Sequence, residues 1–183
     1  PPAPETGPIR AVPGPQAEWF TPEAMARFFD SDYRVGAETD RMGMRLEGPV
    51  LAHSERGADI ISDGIAPGAI QVPGSGQPIV LLADAQTTGG YPKIATVIGA
   101  DLSRLARLAP GDLLRFQAVT VEEAEEAARA RRAALDRMAQ DIVAAGAGRI
   151  DRRALWSANL VSGAVDALCP DHFPHHPEPK EHP

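Results

Sequence analysis

Cysteine is nearly absent from this 183-residue chain, with Cys169 standing alone. One thiol cannot close an internal disulfide, so the fold does not need an oxidising compartment and a cytoplasmic setting is expected. Lysine is almost as scarce. Of the 18 basic residues only Lys93 and Lys180 are Lys, the rest are Arg, and 25 acidic residues bring the net charge to -7. A negative chain without a basic stripe offers a poor surface to nucleic acid or to an anionic membrane. Histidine is missing from most of the sequence, His53 being the sole one before His172. A nucleophile–histidine pair in the folded body would have to use His53, and a zinc site there would have one His and no Cys, so no metal is expected. His53 sits in the polar stretch Leu51-Ala52-His53-Ser54-Glu55-Arg56-Gly57 and reads as an ordinary exposed side chain. Long apolar runs are lacking as well. Ile79 to Ala83 is strand-sized, far short of the ~20 residues needed to span a bilayer. The opening Pro1-Pro2-Ala3-Pro4 carries neither an initiator Met nor a signal-peptide pattern and reads as a linker or a truncation point.

What the chain has in excess is glycine and proline, 17 and 18 residues. So many helix breakers exclude a helical bundle as the main body. Six prolines fall in residues 1–15 and five in 170–183, which makes both ends extended tails. Between them the pattern predicts strands at Ile9 to Val12, Tyr33 to Val35, Met42 to Leu46, Ile79 to Leu82, Ile94 to Ile98 and Leu113 to Val119. A short helix is expected from Thr21 to Asp30. Thr21 can cap it, Pro22 suits its first position, and Met25, Phe28 and Phe29 form a stripe. A second helix is expected from Asp101 to Leu108, ended by Pro110-Gly111. Nine glycines from Gly43 to Gly90 predict short strands and tight turns in that region. These elements argue for a mainly β, barrel- or sandwich-like body.

The character changes after Val119. Val121 to Ala145 is a helix-forming run with Glu122, Glu123, Glu125 and Glu126 early and Arg129, Arg131, Arg132 and Arg137 later, as the helix dipole favours. Its charges read as a solvated face. A further helix is expected from Asp151 to Leu168. The expected organisation is therefore a tail at 1–7, a β domain at 8–120, a helical extension at 121–168 and a His/Pro-rich tail at 169–183.

Two glycine clusters fail as phosphate cradles. Pro73-Gly74-Ser75-Gly76-Gln77 lacks the third glycine of the dinucleotide fingerprint, and Thr87-Thr88-Gly89-Gly90-Tyr91-Pro92-Lys93 lacks the P-loop spacing. What remains is a set of polar side chains at tight turns on either side of an apolar strand. Gln71, Gln77, Asp84, Gln86, Thr87, Thr88 and Tyr91 are residue types that read an amide or urea-like group by matching donors to acceptors.

Several blocks occur together in order: Asp40-Arg41-Met42-Gly43-Met44-Arg45-Leu46-Glu47-Gly48, Ser62-Asp63-Gly64-Ile65, Gly68 to Pro73, Gly76 to Ile79, and Asp84-Ala85-Gln86-Thr87-Thr88-Gly89-Gly90-Tyr91-Pro92. This run, from about Pro8 to Arg132, resembles the biotin-dependent carboxyltransferase A/B family. Within that family it is most similar to the group of 5-oxoprolinase C subunits, also labelled KipA-like or allophanate hydrolase subunit 2. The resemblance is to the second half of the family domain. It implies a cyclophilin-like β-barrel and work on a small amide. It implies two partner subunits too, one KipI-like and one lactam-hydrolysing, with ATP used by the complex or biotin carried by a partner. No cofactor is assigned to this chain itself. Three activities are implied: ATP-dependent opening of 5-oxoproline to glutamate, transfer of a carboxyl group from biotin to urea, or non-catalytic regulation of a KipI-like partner. A chain matching half the family domain is not expected to be active alone. The Ser-Ser-Lys machinery of allophanate hydrolases is not visible. The site is expected along Gln71 to Lys93, with Asp84 as base or acceptor, and Gln86 and Tyr91 in catalysis. Arg41, Arg45, Gln71, Gln77, Thr87, Thr88, Gly89 and Gly90 are expected to bind substrate, with Gln77 at the opposite strand end from Asp84 and Gln86.

Overall fold

Seven strands close on themselves. The computed structural model describes residues 7–141. Around the barrel the strands run β1 (Ile9–Pro13), β8 (Lys93–Val97), β5 (Ala69–Gln71), β6 (Ile79–Leu81), β3 (Gly43–Glu47), β2 (Asp32–Val35) and β9 (Leu113–Ala118). The ring closes where β9 meets β1 again, and that pairing is parallel while all others are antiparallel. Closure leaves no strand edge open in the body. Outside it, β4 (Asp63–Gly64) and β7 (Thr88–Gly89) pair as a separate two-stranded ribbon.

Alternation explains the inward set. In β2 Tyr33 and Val35 are buried between exposed neighbours, in β3 Met44 and Leu46, and in β9 Leu114 and Phe116. The first helix, α1 (Pro22–Asp30), begins as its sequence predicts, with the Thr21 hydroxyl accepting from Ala24 N at 3.1 Å. It lays Phe28 into the core, where the ring stacks on Phe116 at 4.8 Å between centroids and lies 5.9 Å from Tyr33. Helix α2 (Leu102–Leu105) is shorter than expected. Arg107 N and Leu108 N bond back three residues, to Arg104 O and Leu105 O, so the chain tightens into turns before Pro110. Helix α3 (Val121–Asp141) carries most of its charges in water, with Arg129–Glu125 and Arg132–Asp136 pairs at 3.4 and 3.1 Å, while Arg131 Nη1 donates to Ala100 O at 2.5 Å and to Ser103 Oγ at 2.9 Å.

The chain divides into two compact units, Pro1–Arg137 and Met138–Pro183. The barrel belongs to the first, and only the last residues of α3 in the second are described. The expected end of that helix at Ala145, the helix from Asp151 to Leu168 and the His/Pro tail lie outside the described residues. Among the described residues no helix is long and apolar enough to cross a membrane.

Three strands escape the sequence pattern. Ala69-Ile70-Gln71 is buried at every position and so has no alternation, and β4 and β7 are two residues each. His53 is also corrected. Rather than being exposed it is half-buried, its Nε2 donating to Val72 O at 3.0 Å and its ring 5.1 Å from that of Phe20.

Candidate functional site

Polar side chains that the fold buries mark where chemistry has displaced packing. Among the described residues three are buried, Gln71, Lys93 and Asp101, and two of them face each other. Strands β5 and β8 pair Ala69 with Thr96 and Ile70 with Ala95, then slip by one so that Gln71 opposes Lys93. Ile94 is the extra residue of this β-bulge. Bulges re-aim side chains, and without the slip Gln71 would face Ile94.

Lys93 Nζ donates to Asp63 Oδ2 at 2.6 Å and to Gly64 O at 3.0 Å, both on β4. An ammonium has three donors, so these bonds engage two of them. Gln16 braces the pair from the other side. Its Nε2 donates to the same Asp63 oxygen at 3.2 Å, and its Oε1 accepts from Lys93 N at 3.3 Å. The approach of this segment depends on Gly14, since a Cβ there would lie 2.2 Å from Lys93 O. The Asp63 carboxyl titrates below its ordinary range. The Lys93 hydrogen bond is the main cause, then those of the Gly64 amide and Gln16, so it stays ionised opposite the lysine.

Gln71 Nε2 donates to Tyr91 O at 3.2 Å, which ties the loop before β8 to the barrel wall. Above it runs β7, whose Gly89 comes so close that a Cβ would sit 2.7 Å from Gln71 Nε2. The ribbon is fastened at both ends, by Ile60 N to Gly90 O at 2.8 Å and Ile65 N to Thr87 O at 2.9 Å. A buried cation and a fixed carboxamide thus lie beneath a two-stranded ribbon that itself supplies the ionised carboxylate. Such a set has the donors and acceptors to hydrogen-bond a small polar group that offers both a carbonyl oxygen and an N–H.

The residues expected from sequence divide. Gln71, Thr88, Gly89, Gly90 and Tyr91 gather around Lys93, with the Tyr91 ring 42% exposed. Gln86 and Thr87 have exposed side chains on the turn leading into β7. Arg41 and Asp84 pair with each other at 3.0 Å beside a cavity away from Lys93, and Arg45 pairs with Glu38 at 3.4 Å. Gln77 clamps the backbone of Gly48 in both directions, donating to its O and accepting from its N at 3.0 Å each. Lys93, Asp63 and Gln16 carry the centre, yet the sequence reading takes Lys93 only as the end of a segment. Its signal was a lone lysine between Pro92 and the apolar Ile94-Ala95 in a chain otherwise supplied with arginine. Gln16 had no such signal. Among the described residues no three His, Cys, Asp or Glu side chains cluster as metal ligands would.

Residues 1–118, ending at the last residue of β9, match the family described as carboxyltransferase domain, subdomain A and B. The chain belongs to this family. Among carboxyltransferase-domain relatives it is 43% identical over 119 residues to the C subunit of 5-oxoprolinase from Escherichia coli (strain K12), covering 65% of this chain and 38% of that protein. The corresponding protein of Haemophilus influenzae is 41% identical over 130 residues, 71% of this chain and 42% of its own length. A putative urea carboxylase of Emericella nidulans is 29% identical over 149 residues, 76% of this chain and 12% of that protein. The chain therefore spans about two fifths of the length of the two 5-oxoprolinase relatives. The fold recurs in the crystal structure of the Kluyveromyces lactis urea amidolyase, at a TM-score of 0.69 and 23% identity over 74% of this chain and 9% of that one. It recurs also in that of TTHA0988, at 0.54 and 38% over 64% of this chain and 22% of that one.

Proposed function

We propose that this chain is a subunit of an ATP-dependent 5-oxoprolinase-type complex that opens the lactam of 5-oxoproline to glutamate. Its two partners in this reading, one KipI-like and one lactam-hydrolysing, carry the ATP chemistry. Its own organisation is a β domain at 8–120 followed by the helix that starts at Val121. The observation that carries the reading is the pair of buried polar residues, Gln71 and Lys93, facing one another across the β5–β8 bulge. A lactam presents a carbonyl oxygen and an N–H side by side. The Lys93 ammonium stabilises negative charge growing on that oxygen, Asp63 holds the ammonium in place, and the Gln71 carboxamide orients the amide plane. Tyr91 and Gln86 approach the substrate from the ribbon side.

The test is co-expression of the full chain with both partners, followed by assay of ATP-dependent glutamate formation from 5-oxoproline. Lys93→Met is expected to lower turnover by tenfold or more, equivalent to about 1.4 kcal/mol of transition-state stabilisation. Gln71→Met, Gln86→Ala and Tyr91→Phe are expected to do the same, with assembly on gel filtration unchanged. Full activity in the Lys93 and Gln71 variants would overturn the assignment of the site. The similarity to a putative urea carboxylase favours a second reading, carboxyl transfer from a partner's biotin to urea or a related amide. Urea-dependent turnover with a carboxylated biotin carrier, and none with 5-oxoproline, selects it. Binding of the KipI-like partner without turnover of either substrate indicates a regulator.

A further inference from the structure

A cavity of about 420 Å³ opens between the ends of β3 and β6 and the α2 turn. It shares no lining residue with the Lys93 group. Its volume falls in the lower part of the range for small-molecule sites, about 300–1,000 Å³. Met44, Leu81 and Leu105, all buried, form the floor, and Leu82, Leu102 and Leu108 the walls. The mouth carries charge, and each carboxylate there already accepts hydrogen bonds or forms an ion pair. Arg41 Nε pairs with Asp84 at 3.0 Å, and the Asp40 carboxylate accepts from the amides of Met42 and Gly43 at 2.8 and 2.9 Å. One lining residue is unmatched. The Thr39 hydroxyl is shut off from solvent and has no hydrogen-bond partner. A buried polar group in that condition calls for an explanation, because leaving it unpaired costs about 1–3 kcal/mol.

We propose that this cavity is a binding site, distinct from the Lys93 centre, for a small neutral molecule with an apolar body and one hydrogen-bonding group. The apolar walls take the body. A step of about 120° about χ1 of Thr39 carries its hydroxyl to another staggered position, from which the unpaired oxygen meets the ligand's hydroxyl or amide. Neutrality follows from the burial of that contact. A charged head group meeting the Thr39 hydroxyl, which is shut off from solvent, would lose its hydration, and a carboxylate would in addition face Asp40 and Asp84.

The proposal is tested on the full 183-residue chain by amide chemical-shift titration with three probes of one shape: 3-phenylpropanol, 3-phenylpropanoate and 3-phenylpropylamine. 3-Phenylpropanol is expected to give saturable shifts at Leu82, Ala83 and Ala106 at millimolar concentration, with at least fivefold weaker binding of both charged probes. Ala106→Phe fills the cavity from an exposed position at the end of α2 and is expected to abolish those shifts, and Ala83→Phe gives the same test from the other side. Thr39→Val is expected to weaken 3-phenylpropanol about fivefold and leave propylbenzene unchanged. Lys93→Met is expected to leave all of this binding intact, so the outcome is independent of the assignment of the first site. Absence of saturable shifts, their persistence when the cavity is filled, or equal binding of a charged probe would each overturn the proposal, as would an unaltered preference in Thr39→Val.

Discussion

Asp101, the third buried polar residue, is the place where a single atom change should reach the whole barrel. Its side chain is fully buried, and it accepts from Arg10 N at 2.8 Å, Arg10 Nε at 3.1 Å, Arg10 Nη2 at 2.6 Å and Arg104 Nη1 at 3.1 Å. The pair joins β1 to the start of α2. Asp101→Asn keeps the shape but replaces one acceptor with an N–H₂ aimed at a guanidinium. Breaking a buried ion pair costs about 3–5 kcal/mol. The Arg10 side chain is 30% exposed and recovers water in the variant, which places the loss near the lower end, about 3 kcal/mol. At roughly 4 °C per kcal/mol for a domain of this size, the melting temperature should fall by about 12 °C at pH 7. The pH dependence has a definite sign. Burial alone would raise the Asp101 carboxyl, but the Arg10 hydrogen bonds and the two guanidinium charges outweigh it and hold the group below its ordinary value. A depressed folded-state value contributes stability that is complete above the unfolded value, about 3.9, and disappears as pH falls through the folded value. Urea and thermal melts followed by circular dichroism should therefore show a constant gap between wild type and Asp101→Asn from pH 7 to about 5, closing at lower pH. A gap under about 0.5 kcal/mol at pH 7, or one that persists unchanged to about pH 2, would refute this account.

Two further changes test the core and the ribbon. Tyr33 is buried with its hydroxyl unpartnered, and burial raises it to about 12 against a smaller opposing pull from the Arg27 charge. Its neutral form is favoured in the fold, so its contribution is complete below the unfolded value near 10 and is lost as pH rises towards 12. Absorbance titration at 295 nm should show this tyrosine ionising at about pH 12. Tyr33→Phe removes an unpaired polar atom and should be neutral or stabilise by up to about 1 kcal/mol, and a loss larger than that in urea melts would mean the hydroxyl has a partner. Gly89→Ala places a methyl 2.7 Å from both Gln71 Nε2 and Ile65 Cδ1. It should cost about 1–2 kcal/mol in melts and a disproportionate share of 5-oxoproline turnover in the complex, whereas equal and small effects would separate Gln71 from the site.

The barrel was legible where one face of a strand is wet. Tyr33 and Val35, Met44 and Leu46, and Leu114 and Phe116 alternate with exposed neighbours, and period two announces them. It was illegible where both faces are dry or the element is two residues long, as at Ala69–Gln71 and in the ribbon. The candidate site lies in those illegible parts. Gln71 and Lys93 come together through a register slip that depends on which residue of β8 bulges, and no local pattern states that. Asp63 and Gln16 reach Lys93 from 30 and 77 positions away in the chain. Gln77 illustrates the opposite case. Its residue type and its place beside a strand suit recognition, but its amide holds the Gly48 backbone on both sides.

The position of β1 in the ring has a consequence for how the protein is made. β1 sits between β8 and β9, so the first strand of this ring to be synthesised has the ring's last two as its neighbours. Between Pro13 and Leu113 the ribosome adds 100 residues, which takes roughly 5–20 s at 5–20 residues per second. Throughout that interval Ile9 and Ala11 have no closed barrel to enter, and until β8 follows at Lys93–Val97 the backbone of β1 is open to pairing with any other extended segment. Its brevity and its terminal Pro13 limit that exposure, because a proline donates no hydrogen bond to an incoming strand. The same arrangement makes ring closure a late, long-range event in refolding, and the β1–β9 pairing is where translation speed and chaperone capture would act on yield.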